Sequence, residues 1–280
     1  MRIALSAALV VIAGCDQIYG LTGRVESDAS SGDGMTTDAP CTLGEFNAAE
    51  VFSINGFPRG TFDPAMSADQ LELFYVVQKM NLDLRFASRM TVNDPWVVDQ
   101  EVPGANSATD DDADPTITAD GRSLLFVSTR DPSITPREVY EMTRELGGEW
   151  SMPVRRQGIT VNAHSIDISA DGKTLYVSEG DDSVDMVYRF RRPDIGMDFM
   201  SSSQVALGMS FPSINADETE LYFDDTTGIK RATMFNGLFL SPVLVINGVH
   251  DADLSHDGRR LAFQTDSGIG YIERECVVPQ

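Results

Sequence analysis

Apolar and polar residues along this chain follow a pattern that occurs five times. Each repeat contains an aspartate, with an apolar residue three positions before it and apolar residues four and six positions after it. Apolar residues at every second position indicate a strand with one buried face. The aspartates are Asp69, Asp120, Asp171, Asp217 and Asp257, spaced 51, 51, 46 and 40 residues apart.

The repeated aspartate predicts a tight turn between two strands. In three repeats the next residue is glycine, which adopts positive φ without strain and favours a β-hairpin. In the other two repeats Gln70 and Glu218 take this position, so those two turns are expected to differ. We assign the turns a structural role and no catalytic one.

Two further short apolar segments follow most of the hairpins, as in residues 187–190 and 205–207 of the third repeat. Four strands in 40–50 residues are typical of one blade of a β-propeller. No amphipathic helix separates the repeats, as a parallel α/β fold would require. The sequence therefore predicts an all-β fold, a five-bladed β-propeller of four-stranded blades over residues 41–280. Trp96 and Trp150 fall on outer strands and are expected to pack the blades.

The ends of the chain are expected to close the ring. The fifth hairpin is followed by one further strand, at about residues 269–273, so the C-terminal blade lacks its outer strand. Residues 46–54 precede the first hairpin, and we predict that this N-terminal strand completes the C-terminal blade. Cys41 and Cys276 flank these two strands, which in an exported protein predicts a disulfide; the alternative is two unpaired thiols.

The first 14 residues have the composition of a signal peptide, with Arg2 followed by an apolar run too short to span a bilayer. Ile12-Ala13-Gly14-Cys15 resembles the bacterial lipobox, which implies acylation of Cys15. The alternative is an ordinary signal peptide. Residues 15–40 are rich in Asp, Ser, Gly and Thr and are predicted to form a disordered acidic linker.

The repeat also resembles a known family. Gly148-Glu-Trp150-Ser-Met-Pro153, followed by Ile166-Asp-Ile-Ser-Ala-Asp171-Gly-Lys-Thr-Leu-Tyr176, is similar to the TolB-type (WD40-like) propeller repeat of bacterial envelope proteins. The resemblance extends over about residues 45–275. It implies a place in the bacterial cell envelope, in the periplasm or at the outer-membrane surface.

Charge limits the choice of partners. The chain carries 43 acidic and 21 basic residues, a formal net charge of −22. A nucleic-acid backbone repels such a surface, so we expect no nucleic-acid partner.

Several acidic and histidine side chains fall where the inner strands begin, at the predicted mouth of the central channel. We take them as a possible ligand or cation site: Asp63, Asp114, Asp167, Asp251, His164 and His250. Oxygen-rich clusters suit calcium, whereas the histidine spacing does not suit zinc. The alternative is that each of these aspartates caps the backbone of its turn and faces water, and we predict no cofactor beyond a weak calcium site.

The expected function is a monomeric, membrane-tethered module that binds an envelope protein or a peptidoglycan-associated partner and has no enzymatic activity. Its membrane contact would be through the lipid anchor only. The alternative is a carbohydrate-active enzyme, a five-bladed glycoside hydrolase with carboxylates at the channel mouth. Fold alone does not decide between the two.

Overall fold

A computed structural model of the chain describes residues 42–54, 56–57, 59–131, 136–145, 147–180 and 185–277, with the side chains of 276 and 277 left undescribed. The described strands form five four-stranded antiparallel sheets and one two-stranded sheet, and no helix lies among these residues. Each four-stranded sheet is one blade. The predicted five-bladed β-propeller is confirmed.

Four of the blades follow the chain in order, and their strands are numbered from the inside of the ring outward. Blade 1 contains β3 (Thr61–Met66), β4 (Glu72–Gln78), β5 (Leu82–Ser88) and β6 (Val97–Glu101). Blade 2 contains β7 (Asp112–Ile117), β8 (Ser123–Ser128), β9 (Glu138–Thr143) and β10 (Val154–Arg155). Blade 3 contains β11 (Ala163–Ile168), β12 (Thr174–Glu179), β13 (Met186–Arg191) and β14 (Ser201–Leu207). Blade 4 contains β15 (Ser210–Ile214), β16 (Glu220–Asp225), β17 (Gly228–Phe235) and β18 (Leu238–Asn247).

The fifth blade joins the two ends of the chain, as predicted. Its strands are β19 (His250–Leu254), β20 (Arg260–Thr265), β21 (Gly268–Glu273) and, as the outer strand, β2 (Phe52–Ser53). In β2, Phe52 lies opposite Tyr271 and Ser53 opposite Gly270. The N-terminal strand is shorter than the predicted residues 46–54, and β1 (Thr42–Leu43) pairs separately with β22 (Cys276–Val277).

The apolar positions of the repeat form the core. The residues three before and four and six after the shared aspartate are all buried, for example Ile117, Leu124 and Phe126 in blade 2. They pack between neighbouring blades, so the molecule has five separate clusters, one at each seam of the ring. Burial on both faces explains why the second strand of each blade contains at least three consecutive apolar residues.

The two turns that lack glycine do not differ from the others, which corrects the expectation above. Gln70 and Glu218 both have φ of 58°, close to the 67° of Gly121. Cross-blade contacts hold this strained conformation, since Gln70 accepts a hydrogen bond from Arg260 (2.6 Å) and Glu218 accepts one from the Tyr176 hydroxyl (2.8 Å). The turn aspartate itself accepts backbone N–H groups, as Asp120 does from Arg122 (3.0 Å).

Both tryptophans pack the blades, as predicted. Trp150 lies edge-on to Phe74 of blade 1, and the Arg144 guanidinium stacks 4.2 Å above its ring. The Arg89 guanidinium stacks on Trp96 in the same way, with its Cζ 4.3 Å from the ring centroid. Both tryptophans precede their outer strands, β6 and β10, rather than lying within them.

Candidate functional site

The inner strands of all five blades line a central channel, and each contains a β-bulge near its beginning. In four of the blades the residue six before the turn aspartate has positive φ: Asp63, Asp114, Phe211 and Asp251, at 48°, 49°, 49° and 57°. A bulge redirects the side chain it carries. The bulges therefore turn the carboxyl groups of Asp63, Asp114 and Asp251 toward the channel mouth.

Two of these carboxyl groups, those of Asp63 and Asp251, accept hydrogen bonds from the backbone of the adjacent blade. Asp114 N–H donates to Asp63 (3.3 Å), and Asp63 N–H donates to Asp251. Asp251 N–H in turn donates to Asp224 of β16 (2.7 Å). We call these four residues the mouth layer. The carboxyl groups of Asp63, Asp251 and Asp224 each hold the backbone of the neighbouring blade, whereas Asp114 takes part through its own N–H, so the layer stabilises the ring.

A second layer of polar side chains lies two residues further along the inner strands. Asp167 accepts the Thr116 hydroxyl (2.7 Å) from blade 2 and Ile214 N–H (2.7 Å) from blade 4. Ser213 accepts Leu254 N–H (2.8 Å) from blade 5. Asp253 accepts Met66 N–H (2.9 Å) from blade 1, while blade 1 itself has Ala65 at this position. We call Thr116, Asp167, Ser213 and Asp253 the inner layer.

Burial makes the carboxyl groups of the channel weak acids. Desolvation raises the pKa of Asp167 to about 7, although three hydrogen bonds to its carboxyl group oppose the shift. Desolvation and the nearby Asp251 charge raise the pKa of Asp224 to about 8. Desolvation raises the pKa of Asp251 to about 6, against the opposing influence of His250. For Asp63, burial and the charges of Asp114 and Asp251 hold the pKa well above its ordinary value.

The two candidate histidines lie at the edge of this group. His250 is half-exposed, and its Nδ1 is 3.4 Å from Asp224 Oδ2. His164 packs edge-on against Phe211, with ring centroids 5.2 Å apart. The structure thus brings His250 to the mouth layer through Asp224, whereas His164 contacts an aromatic ring of blade 4.

Two small cavities lie along the channel. A cavity of about 30 Å³ lies against Asp63, Asp114, Asp167, Asp251 and Asp253, and a second of about 10 Å³ lies nearer the turns beside His256. About 10–15 Å³ is the least that holds a water molecule. Within the described part of the chain, no group of three His, Cys, Asp or Glu side chains is arranged to hold a metal ion.

A larger groove lies outside the channel, on the face of the disc where the inner strands begin. It has a volume of about 440 Å³ and lies between the β4–β5 hairpin and the loop after β6. Met80 at the hairpin tip is 95% exposed. Lys79, Asp83 and Glu101 also line the groove, which is of the size that small ligands and partner side chains occupy.

An arginine that was not predicted as a functional residue recurs after the third strand of four blades. Its Nε donates to the carbonyl of the hairpin turn, as Arg144 does to Gly121 (2.8 Å) and Arg192 to Gly172 (2.7 Å). In Arg144, Arg192 and Arg274 the guanidinium also reaches an acid of the preceding blade, and Arg192 pairs with Glu141 at 2.7 and 2.9 Å. The signal was present in the sequence, because Arg89, Arg144, Arg192 and Arg274 all follow the third strand directly.

Two further acids are buried in the described structure. Asp112 follows Asp110 and Asp111 in the sequence, but it begins β7 and is fully buried. Arg130 pairs with it at 2.5 Å, which compensates its burial. Asp224 was missed as a channel residue because it comes from a second strand, and no other blade has an acid at that position of its repeat.

The lipidation and linker predictions fall on residues 1–41, which lie outside the described residues. Cys41 is also among them, so the Cys41–Cys276 disulfide stays a prediction. The residues that follow Cys41 pair with the C-terminal strand, Thr42 with Val277 and Leu43 with Cys276. In the described portion of the molecule, no helix has the length and apolarity needed to cross a bilayer.

Comparison with known proteins was made by sequence and by structure. No family model and no curated protein matches the chain. Among solved structures, a putative TolB from Agrobacterium tumefaciens superposes with a TM-score of 0.51 and 16% identity, over 81% of this chain and 86% of that one. The shared feature is the fold. The structural resemblance to TolB-type propellers is therefore confirmed.

Enzymes share the fold as well. A gluconolactonase from Xanthomonas campestris superposes with a TM-score of 0.51 and 13% identity, over 85% of this chain and 96% of that one. An α-L-arabinofuranosidase from Podospora anserina superposes with a TM-score of 0.52 and 11% identity, over 85% of this chain and 97% of that one. The chain spans 55% of the length of TolB from Acinetobacter baumannii, with a TM-score of 0.46. At these identities the comparisons establish architecture only.

Proposed function

We propose that this protein is a protein-binding module of the bacterial cell envelope, tethered to a membrane through Cys15. The observation that carries the proposal is that the channel carboxyl groups bind the protein's own backbone. Asp63, Asp167, Asp224 and Asp253 hold backbone N–H groups of adjacent blades, and the cavity beside them has room for about one or two waters. Recognition is therefore assigned to the outside of the disc.

The groove at Met80 is the part of the mouth face best suited to a partner. It is open, its rim carries a fully exposed methionine, and its lining includes charged and polar groups. Methionine adapts its shape to different apolar surfaces, which suits a protein contact. The TolB-like fold supports placing this contact in the cell envelope.

Site-specific photo-crosslinking in the native envelope tests the proposal. A photoreactive residue at Met80 is expected to give a discrete protein adduct. The matched control is Met90, which is 86% exposed but follows β5 at the opposite face of the disc. Equal adducts at Met80 and Met90, or none at Met80, would contradict binding through the mouth face.

The tether has its own test. Cys15→Ser is expected to move the protein from the membrane fraction to the soluble fraction, because the acyl chains supply the membrane affinity. Metabolic labelling with a radioactive fatty acid should mark the unaltered chain and not the variant. Labelling that persists in Cys15→Ser would exclude acylation at this residue.

Glycoside hydrolysis remains the second candidate, and the raised pKa values of Asp251 (about 6) and Asp167 (about 7) favour it. A general acid works best with a pKa near the operating pH. We expect no turnover of arabinan, xylan, aryl glycosides or sugar lactones by the purified protein. Turnover that disappears in Asp251→Asn would establish the enzyme instead.

A further inference from the structure

Two seams of the ring carry the same ion pair at the face where the hairpin turns lie. In blade 2, Arg144 donates to both carboxylate oxygens of Glu72, which lies three residues after the turn aspartate of blade 1. Blade 5 repeats this arrangement, with Arg274 Nη1 3.5 Å from Glu220 of blade 4. Glu72 and Glu220 hold the same position of the repeat. An arginine and a glutamate therefore join the blades at each of these seams.

The seam between blades 5 and 1 has an arginine in both positions. Arg89 follows the third strand of blade 1, and Arg260 lies three residues after the turn aspartate of blade 5. Both bind Gln70, since Arg89 Nε donates to its backbone carbonyl (2.8 Å) and Arg260 Nη1 to its side-chain oxygen (2.6 Å). Two guanidinium groups that bind one residue lie close together, and their like charges repel. A second cation thus stands at this seam where blades 1 and 4 have a glutamate.

One nitrogen of Arg89 has no hydrogen-bond partner. Its Nη1 donates to the Val92 carbonyl (2.7 Å), whereas its Nη2 is buried and donates to no described residue. The nearby carboxyl groups of Asp69 and Asp94 accept hydrogen bonds from their own turns instead. Burial and the Arg260 charge lower the pKa of Arg89 from its ordinary value. A buried guanidinium N–H without an acceptor is rare in a folded protein, and a bound ion is one explanation of it.

We propose that a small oxyanion, a carboxylate or a phosphate, binds between Arg89 and Arg260 and takes the place of the missing glutamate. Guanidinium groups bind such anions through paired N–H groups, and Nη2 of each arginine donates to no described residue. Arg260 has 24% side-chain exposure, so the site opens to solvent beside it. The bound anion would join blade 5 to blade 1. The site lies on the opposite face of the disc from the groove at Met80, so the inference goes beyond the proposed function.

Charge also restricts the ligand. Glu273 pairs with Arg260 at 2.5 Å, whereas no carboxylate of the described residues lies in contact with Arg89. Water could accept a hydrogen bond from Nη2, but it would not compensate the repulsion between the two guanidinium groups. The net charge of −22 repels a polyanion such as a nucleic acid, so the ligand is a small anion.

Anion titration of the purified full chain tests the inference. The probes are sodium phosphate and sodium acetate, and sodium chloride at equal ionic strength is the reference. Isothermal titration calorimetry is expected to show saturable one-to-one binding of phosphate, of acetate or of both, and the thermal unfolding midpoint should rise with the anion that binds. The two probes distinguish a phosphate ligand from a carboxylate. Neither a saturable heat nor a rise with either oxyanion, or equal effects of chloride, would overturn the proposal.

Variants locate the site. Arg89→Met is expected to weaken binding of the anion about tenfold, because it removes the unpartnered donor. The fold accepts methionine at this position, since Met234 follows the third strand of blade 4 with the same backbone hydrogen bond. Arg260→Glu restores the glutamate of the repeat and should abolish anion binding.

Arg144→Met is the matched control, because it removes the corresponding arginine of a seam that has its glutamate. It is expected to leave anion binding unchanged. Equal losses of binding in Arg89→Met and Arg144→Met, or full binding in Arg260→Glu, would contradict the inference.

Discussion

At the scale of single residues, the channel carboxyl groups have their largest effect through protonation. Asp224 and Asp167 have pKa values of about 8 and 7 in the fold, against an ordinary 3.8. At pH values above 3.8 and below 7 or 8, these two carboxyl groups keep their protons in the folded chain and have lost them in the unfolded chain. Their stabilising contribution is therefore complete below about pH 4 and is lost as the pH rises through 7 and 8.

The free energy of unfolding is expected to fall between pH 6.5 and 8.5, by up to about 1.4 kcal/mol per pH unit for each such group. Urea unfolding at both pH values measures this. The window avoids His256, whose pKa is lowered from 6.5 by burial and which acts in the opposite direction at lower pH. Asp224→Asn stays neutral and should flatten the dependence.

The control for this prediction is Asp225→Asn. Asp225 adjoins Asp224, but hydrogen bonds to Lys230 and Thr227 lower its pKa to about 2 despite the opposing desolvation. It is already ionised throughout the window, so its removal should leave the slope nearly unchanged. Stability that is flat or rising in the unaltered protein would show that these carboxyl groups are not protonated in the fold.

At the scale of single elements, three blades are each fastened to the preceding blade by the arginine after the third strand, namely Arg144, Arg192 and Arg274. Arg192 and Glu141 are both fully buried, so Arg192→Met leaves a carboxylate in the seam with fewer partners. Loss of one member of a buried pair costs about 3–5 kcal/mol. Arg156 still pairs with Glu141 at 2.7 Å, so chemical unfolding of Arg192→Met is expected to show a loss near the lower end of this range.

Arg144→Met is the matched comparison, from the same position of the repeat. Its partner Glu72 has 24% side-chain exposure and can turn toward water, so the expected loss is smaller. If the two variants lost equal stability, burial of the carboxylate would not be the cause.

The elements were predictable because their pattern is local. Apolar residues at fixed distances from Asp69, Asp120, Asp171, Asp217 and Asp257 determine where the strands begin and which face is buried. The same register placed Asp63, Asp114, Asp167 and Asp251 at the channel. The sequence did not reveal which carboxyl group holds which backbone N–H, because those hydrogen bonds join residues 27 to 187 positions apart.

At the scale of the whole molecule, the ring depends on contacts between the two ends of the chain. Gly44 N–H donates to the backbone carbonyl of Glu275 (2.9 Å), and Ile54 N–H donates to the backbone carbonyl of Ile269 (2.9 Å). Phe46 packs edge-on against Tyr222 of blade 4, with centroids 5.8 Å apart. The N-terminal segment therefore supports both blade 5 and the seam beside it.

The predicted Cys41–Cys276 disulfide would fasten the same ends. In the chain-entropy model a loop of this length contributes about 5 kcal/mol. Protein lacking Cys15 and purified from the periplasm is expected to show no free thiol after denaturation without reductant. Two free thiols by titration would exclude the disulfide, and the strand pairing would then hold the ends alone.

Closure of the ring by residues 42–54 is the central structural claim, and truncation tests it most directly. Unfolding by urea, with reductant present, compares a chain that lacks residues 1–40 with one that lacks residues 1–55. The first should keep the full free energy of unfolding, and the second should lose about 3 kcal/mol or more, from the lost burial of Phe46 and Ile54 and the lost strand hydrogen bonds. Equal stability of the two chains would contradict closure by the N-terminal strand.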